Sequence, residues 1–171
     1  LLERMVAAGM THCVLEATSH GLAQHRVAAC EFDVAVVTNI THEHLDYHGS
    51  MADYLRAKAI LFESLASSVP KAGVLKLAVL NRDDEQSYEY LQEILQVEYV
   101  DYGLQLDASV TADNIRRYGT RNRFDIHADG ESFSVETELT GNYNVANCLA
   151  AIAVARKGLG VPVQAVKVGL S

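Results

Sequence analysis

A lysine stands where the surrounding pattern asks for an apolar residue. Over residues 50–62 and just beyond, Met51, Tyr54, Leu55, Leu61, Phe62 and Leu65 recur at steps of three and four, the period of one helix face. The missing member of that stripe is position 58, and it is Lys58. A charged amine directed at a core is costly to bury unless something pairs with it. Immediately upstream runs Thr41-His-Glu-His-Leu-Asp-Tyr-His-Gly49, dense in metal-binding and acid/base side chains. Glu16, His44 and Lys58 form the candidate reaction constellation. A carboxylate and an imidazole suit a divalent cation that handles phosphate. Each residue also has an ordinary reading: Glu16 as a cap or ion-pair acid, His44 as a satisfied loop histidine, Lys58 with its stem packed and its ammonium in water. Taken together, these three ordinary readings are harder to sustain than any one alone.

Three further groups carry chemistry. His42, His44, Asp46 and His48 open a His-x-His-x-Asp pattern found in zinc hydrolases. That pattern needs a histidine directly after the aspartate, and Tyr47 stands there; no other His/Cys pair completes a four-ligand site. Asn144 and Asn147 are three apart in Gly141-Asn-Tyr-Asn-Val-Ala-Asn147, so both lie on one side of a first helical turn. An amide can pair with an adenine edge, although on spacing alone an ordinary N-cap is the better reading. Thr18, Ser19, His20, Gln24 and Arg26 suit either an anionic ligand, through the planar fork of arginine, or a solvated loop. There is no Gly-x-x-x-x-Gly-Lys-[Ser/Thr], so a nucleotide site built from these residues lacks a phosphate cradle.

The elements that must position these residues follow from pattern. Residues 1–8 read as a helix closed by Gly9. The apolar runs 12–16, 34–37 and 74–80 read as parallel strands buried on both faces. Each is followed by a polar cluster: Glu16-Ala-Thr-Ser-His20, Thr38-Asn39 and Asn81-Arg-Asp-Asp84. In parallel sheets a ligand site lies beyond the carboxyl ends of the strands. After Asp101, residues 108–117, 123–128 and 132–139 alternate polar and apolar, with Asp129-Gly130 as a hairpin signal. Residues 140–144 open an Ala-rich helix running to about Lys157 and closed by Gly158, and residues 163–168 read as a last short helix. The fold class is α/β: a mostly parallel sheet flanked by helices, with a small antiparallel β appendage.

Composition bounds the function. The chain has 171 residues, enough for one domain with a real core. With 14 basic and 22 acidic side chains its net charge is −8, which argues against non-specific nucleic-acid or anionic-membrane binding. No apolar run approaches the roughly 20 residues of a membrane span, and there is no signal-peptide pattern. Cys13, Cys30 and Cys148, far apart and odd in number, suggest reduced, buried thiols in a cytoplasmic protein, not a disulfide frame or a zinc knuckle. The chain reads as a piece of a longer protein.

At this point the residues resemble the central, ATP-handling domain of the Mur ligases, closest to the tripeptide synthetase (MurE) type. Glu16-Ala-Thr-Ser-His-Gly-Leu22 with Gln24, Arg26 and Val27 is similar to the family's Glu-Val-Ser-Ser-His-Gly-Leu stretch. Thr38-Asn-Ile-Thr-His-Glu-His-Leu-Asp-Tyr-His-Gly49 is similar to its Thr-Asn-Leu-x-x-Asp-His-Leu-Asp-Tyr-His-Gly stretch. Tyr54-x-x-x-Lys58-x-x-Leu61-Phe62, Asn81-x-Asp-Asp84 and Gly141-x-x-Asn144-x-x-Asn147 resemble three more family segments. Five segments in order cover nearly the whole chain. Ala17, Thr18 and Glu43 are mild departures.

The resemblance implies roles. Glu16 and His44 bind Mg2+; Lys58 reacts with carbon dioxide to give a carbamate, a further metal ligand, and with His44 serves the catalysis. Asn144 and Asn147 lie against the adenine of ATP. Thr18, Gln24 and Arg26 hold the UDP-N-acetylmuramoyl-dipeptide. The implied reaction adds the third amino acid of the peptidoglycan stem peptide through an acyl phosphate, with ATP, Mg2+ and an amino acid as partners and neither nucleic acid nor membrane involved. Another Mur ligase, a folylpolyglutamate synthase-like ligase, or a non-catalytic binding domain of the same fold are the alternatives. The family's upstream P-loop and its C-terminal ligase domain are not found in residues 1–171. These residues alone are therefore expected to be inactive, and an assay of ATP-dependent ligation that gave product would contradict this.

Overall fold

The computed structural model describes residues 1–40, 49–105 and 107–171. Six strands form one sheet in the order β1 (Val34–Val36), β2 (Leu77–Asn81), β3 (Glu98–Tyr102), β4 (Val110–Tyr118), β5 (Arg121–Ala128) and β6 (Glu131–Thr137). β1 to β4 run parallel; β4, β5 and β6 are antiparallel. The expected antiparallel appendage is thus continuous with the parallel sheet, joined to it through the pair Tyr102 and Val110.

β2 organises the sheet. All five of its residues are buried. Alternate side chains of a strand point to opposite faces, so Leu77 and Val79 enter one core and Ala78 and Leu80 the other. The first core is closed by helix α5 (Asn142–Ala153), which runs into a π-helical turn over Val154–Gly158, and by α6 (Val163–Leu170). The second is closed by α3 (Met51–Ser67) and α4 (Glu85–Ile94). The π turn directs Arg156 at Asp129 and Glu131 beside the β5–β6 turn, with Arg156 Nη1 also donating to the Val161 carbonyl at 3.2 Å.

The helix expected over 50–62 is present and longer. Ser50 caps α3: its Oγ accepts from the Asp53 N–H at 3.1 Å and donates to the Asp53 carboxylate at 2.5 Å. Tyr54, Leu55, Phe62 and Leu65 are buried, as the stripe requires. The hairpin at Asp129-Gly130 also forms. Both residues have positive φ, +54° and +76°, and Ala128 pairs directly with Glu131, the two-residue geometry that favours glycine at its second position.

The strand expected over 12–16 does not form. These residues are irregular and exposed, with Val14 fully so, and Cys13 is exposed with them; of the three cysteines expected to be buried thiols, Cys148 is buried and Cys30 partly so. An apolar run becomes a buried strand only when a sheet edge pairs with it, and among the described residues none does. The short helix α1 (Leu2–Ala7), closed by Gly9 at φ +76°, likewise buries no residue. Two elements lack a clear sequence signal. β3 alternates Tyr99 and Asp101 with apolar residues, and α4 is rich in Glu and Gln, so neither shows the uninterrupted apolar run of β2.

Phe124 on β5 is fully buried in the core shared with α5. Phe124→Ala is expected to lower unfolding free energy by about 3–5 kcal/mol, read by denaturant titration of the chain.

Candidate functional site

At the carboxyl edge of the parallel strands the main chain leaves the sheet in three places. The last ladder bond of the first strand is from Val37 N–H to the Val79 carbonyl, at 3.0 Å. Beyond it, side chains from β2 and its loop take over. Asn81, 3 % exposed, donates Nδ2 to the Thr38 carbonyl at 2.5 Å and to Asn39 Oδ1 at 3.1 Å. Its Oδ1 accepts from Asp83 N–H at 3.0 Å, which orients the amide. Asp84 Oδ2 accepts from Ile40 N–H at 2.8 Å, while its other oxygen faces Ser87 N–H at 3.5 Å and caps α4. The Tyr102 hydroxyl donates to the Val37 carbonyl at 2.8 Å. Burial, together with the charges of Asp83 and Asp84, pushes this phenol's pKa up, so it is a neutral donor.

The loop after β3 is held from the same place. Asp83 accepts from Leu104 N–H at 2.8 Å and Gln105 N–H at 3.3 Å. A side chain at Gly103 would sit 2.8 Å from Asp83 Oδ1, so glycine is what lets this carboxylate reach the loop. Beside it, Arg82 donates to Asp101 at 3.0 Å, to the Tyr88 hydroxyl at 2.8 Å and to Asp107 at 2.6 Å. Asp101 is buried, which alone would raise its pKa. Bonds from Ser109, Tyr88 and Arg82 outweigh that, and the net shift is downward.

The expected site residues fall on several different elements. Glu16 is exposed in the irregular stretch before α2 (Ser19–Ala23). Thr18 is the N-cap of α2, its Oγ1 accepting from Gly21 N–H at 3.0 Å. Gln24 is the C-cap. His25 follows at φ +55° and turns the chain so that Arg26 N–H reaches the Gly21 carbonyl at 2.8 Å, leaving the Arg26 side chain exposed. Lys58 is half-buried on α3, its Nζ 5.9 Å from the ring centre of buried Tyr54. α2 packs on α3, which brings the stretch after Glu16 and the helix of Lys58 together. His44, with the His42, Asp46 and His48 of the zinc pattern, lies outside the described residues. Among the described residues no three His, Cys, Asp or Glu side chains gather to hold a metal. The exposed Glu16 carboxylate is nevertheless the kind of hard oxygen donor that magnesium prefers.

Asn144 and Asn147 fall on the first turns of α5, as spaced. The simple cap reading fails: the N-cap is Gly141, which has no side chain to cap with. Asn144 Nδ2 instead donates back to the Thr140 carbonyl at 2.8 Å, which fixes the amide. Asn147 is exposed one turn on. The residues that sequence reasoning left without a role are Asn81, Asp84 and Tyr102. The first two carry a signal as a polar cluster ending a strand; Tyr102 carries none, because β3 itself has no clear strand pattern.

Comparison with known proteins bears on the whole chain. Residues 1–155 match the model of the Mur ligase middle domain. The chain is 48 % identical over 145 residues to UDP-N-acetylmuramyl-tripeptide synthetase 2 of Oceanobacillus iheyensis, covering 85 % of the chain and 29 % of that protein. It is 39 % identical over 166 residues to a UDP-N-acetylmuramoyl-L-alanyl-D-glutamate--2,6-diaminopimelate ligase of Halalkalibacterium halodurans, covering 97 % of the chain and 33 % of that protein. Among solved structures, a ligase of that same description superposes with a TM-score of 0.86 at 31 % identity, over 99 % of this chain and 34 % of that one. The MurF ligase of Thermotoga maritima in complex with ADP shares the fold, with a TM-score of 0.67 at 18 % identity over 83 % of this chain and 31 % of that one. The chain thus spans about a third of the length of these relatives. No helix among the described residues is long and apolar enough to cross a membrane.

The depressed pKa of Asp101 gives a pH dependence. A carboxylate whose folded pKa lies below its unfolded value stabilises the fold above the unfolded pKa, and that stability is lost as pH falls through the folded one. Stability of the chain is therefore expected to drop below the ordinary aspartate value of about 3.9. Asp101→Asn should start less stable and show a shallower drop; parallel acid-unfolding curves, followed by circular dichroism, would contradict this.

Proposed function

The chain belongs to the Mur ligase middle-domain family, and from that membership we propose that it is the ATP-handling domain of a UDP-N-acetylmuramyl-tripeptide synthetase of the MurE type. The observation that carries this reading is the 48 % identity over 145 residues to a relative of that name. The whole enzyme joins an amino acid to UDP-N-acetylmuramoyl-dipeptide in the cytoplasm, for cell-wall synthesis.

The proposed chemistry proceeds in two steps. An oxygen of the substrate's terminal carboxylate attacks the γ-phosphorus of ATP, ADP leaves, and an acyl phosphate forms. The amine of the incoming amino acid then attacks the acyl carbon, the amide bond forms, and phosphate departs. Glu16 and His44 would hold magnesium, which when bound offsets the charge on the transferring phosphoryl group. Lys58 joins them as a carbamate: its neutral amine attacks carbon dioxide, an N–C bond forms and a proton leaves. The Lys58 Nζ lies 5.9 Å from the ring centre of Tyr54 on the same helix, and the change of Lys58 from cation to anion accounts for a lysine on an inward stripe. Asn144, its amide fixed through Thr140, and Asn147 face the adenine. Thr18, Gln24 and Arg26 bind the uridine-linked substrate, with Thr18 set by its cap and Arg26 offering an exposed guanidinium fork to an anionic group.

The test uses the full-length protein. ATP- and UDP-N-acetylmuramoyl-dipeptide-dependent phosphate release is expected, and Lys58→Arg should lower its kcat on the order of 100-fold. Incubation with 13C-bicarbonate should give a carbamate resonance in the wild type that the variant lacks. Wild-type turnover by Lys58→Arg would refute the role of Lys58, and absence of ligation by the wild type would refute the function.

A further inference from the structure

Tyr143 is an aromatic side chain that stays 68 % exposed on a helix whose apolar residues Val145, Cys148 and Leu149 all enter the core. Its ring is nevertheless seated. A Cβ at Gly141 would lie 2.8 Å from Tyr143 Cε1 and 3.1 Å from Cδ1, so the ring rests along one side against the main chain at Gly141, and a side chain there would push it away. Beside it the Asn144 amide is oriented. A main-chain carbonyl only accepts, so the Thr140 carbonyl 2.8 Å away is met by the amide NH2, and Oδ1 is directed away from it. No hydrogen bond to that oxygen comes from the described residues. Tyr143 and Asn147 are four apart and Asn144 and Asn147 three apart, so the three side chains are neighbours on one side of α5. Core packing uses none of the three. An open ring next to an oriented hydrogen-bond acceptor suits a planar ligand that carries an amino group.

We infer that Tyr143 stacks on the nucleobase of the bound nucleotide while Asn144 Oδ1 accepts from the base's exocyclic amino group, so that this pair selects a 6-aminopurine over a 6-oxopurine. The inference rests on the ATP-handling role proposed above and adds to it the residue that holds the base by its flat face. Stacking on an aromatic side chain supplies affinity for any base, because every base has a π face. The amide supplies the choice: adenine offers a donor at position 6, where a 6-oxopurine offers an acceptor. Two acceptors brought together there would share no proton, and both would lose their water.

The test is calorimetric titration of the full-length protein with ADP and with IDP, each with Mg2+. Wild type is expected to bind ADP roughly 10-fold or more tightly than IDP. Tyr143→Ala should weaken both nucleotides by a similar factor, roughly 10-fold or more, since the ring does not read position 6. Tyr143→Phe, which restores the ring, should recover the affinity that alanine loses. With so exposed a side chain, the melting temperatures of both variants are expected near wild type. Tyr143→Leu, with bulk but no π face, takes the place of the alanine variant where that does not fold. Wild-type ADP affinity in the folded alanine or leucine variant, or an equal loss in Tyr143→Phe, overturns the stacking role. Equal wild-type affinity for ADP and IDP overturns the selection by Asn144. Both results leave the ligase reading standing. A wild-type protein that binds neither nucleotide removes the ligase reading and this inference with it.

Discussion

A buried parallel strand has to give up its ladder at some residue, and the backbone groups beyond that point need new partners. In this chain β2 and β3 supply those partners for β1. Asn81 is buried and fully engaged, so its amide works as a piece of sheet made from a side chain. Asp84 links the same exit to the start of α4, and Asp83 links it to the loop after β3. The Asn81–Asp84 corner therefore couples three loops on the edge where α/β sheets bind their ligands. Removing one partner from such a network costs more than the bond is worth, because the other partner stays buried and unsatisfied.

The two halves of the sheet are covered differently. β1 to β3 have helices on both faces, α3 and α4 on one side and α5 on the other. β4 to β6 have one face against α5 and α6, and the opposite face carries Asp113, Asp125, His127, Ser132 and Ser134. These polar residues pair among themselves: Asp125 with Ser134 and Asn114, His127 with Ser132 and Asp113. The wet face is thus an ordered polar surface, and none of the candidate site residues within the described chain belongs to it.

How far the sequence could be read depended on where each element found its partners. The stripe of α3 and the Asp129-Gly130 turn are local signals, and both elements form as the pattern predicts. The run 12–16 carries the same apolar content as a strand, but pairing is not a local property, and here it stays irregular. β3 escapes a reading of pattern for the opposite reason: its Tyr and Asp side chains bury polar atoms that only the fold satisfies, Asp101 through Arg82 and Ser109, Tyr102 through Val37. Lys58 announces itself by breaking a pattern. Glu16, Thr18, Gln24 and Arg26 break none; their side-chain types suit a cation or an anionic ligand as readily as a solvated loop, and the particular roles proposed for them rest on family likeness. Asn144 falls between these cases, its spacing legible but its back-bond to Thr140 visible only in three dimensions.

The π turn at the end of α5 has a consequence for how this domain can vary. A π turn is an α-helix that holds one extra residue, accommodated by bonds reaching five positions back, such as Leu159 N–H to the Val154 carbonyl at 3.1 Å. Everything α5 buries lies before it. A single-residue deletion within residues 154–158 would relax the turn to ordinary helix and swing the downstream chain by about 100°, since each helical residue turns the chain by 1/3.6 of a circle. Arg156 would lose Asp129 and Glu131, while Asn144 and Asn147 would keep their places. The swing would also take buried Val166 of α6 out of the core that α5 shares with it, so the extra residue of the π turn sets the heading of the domain's tail.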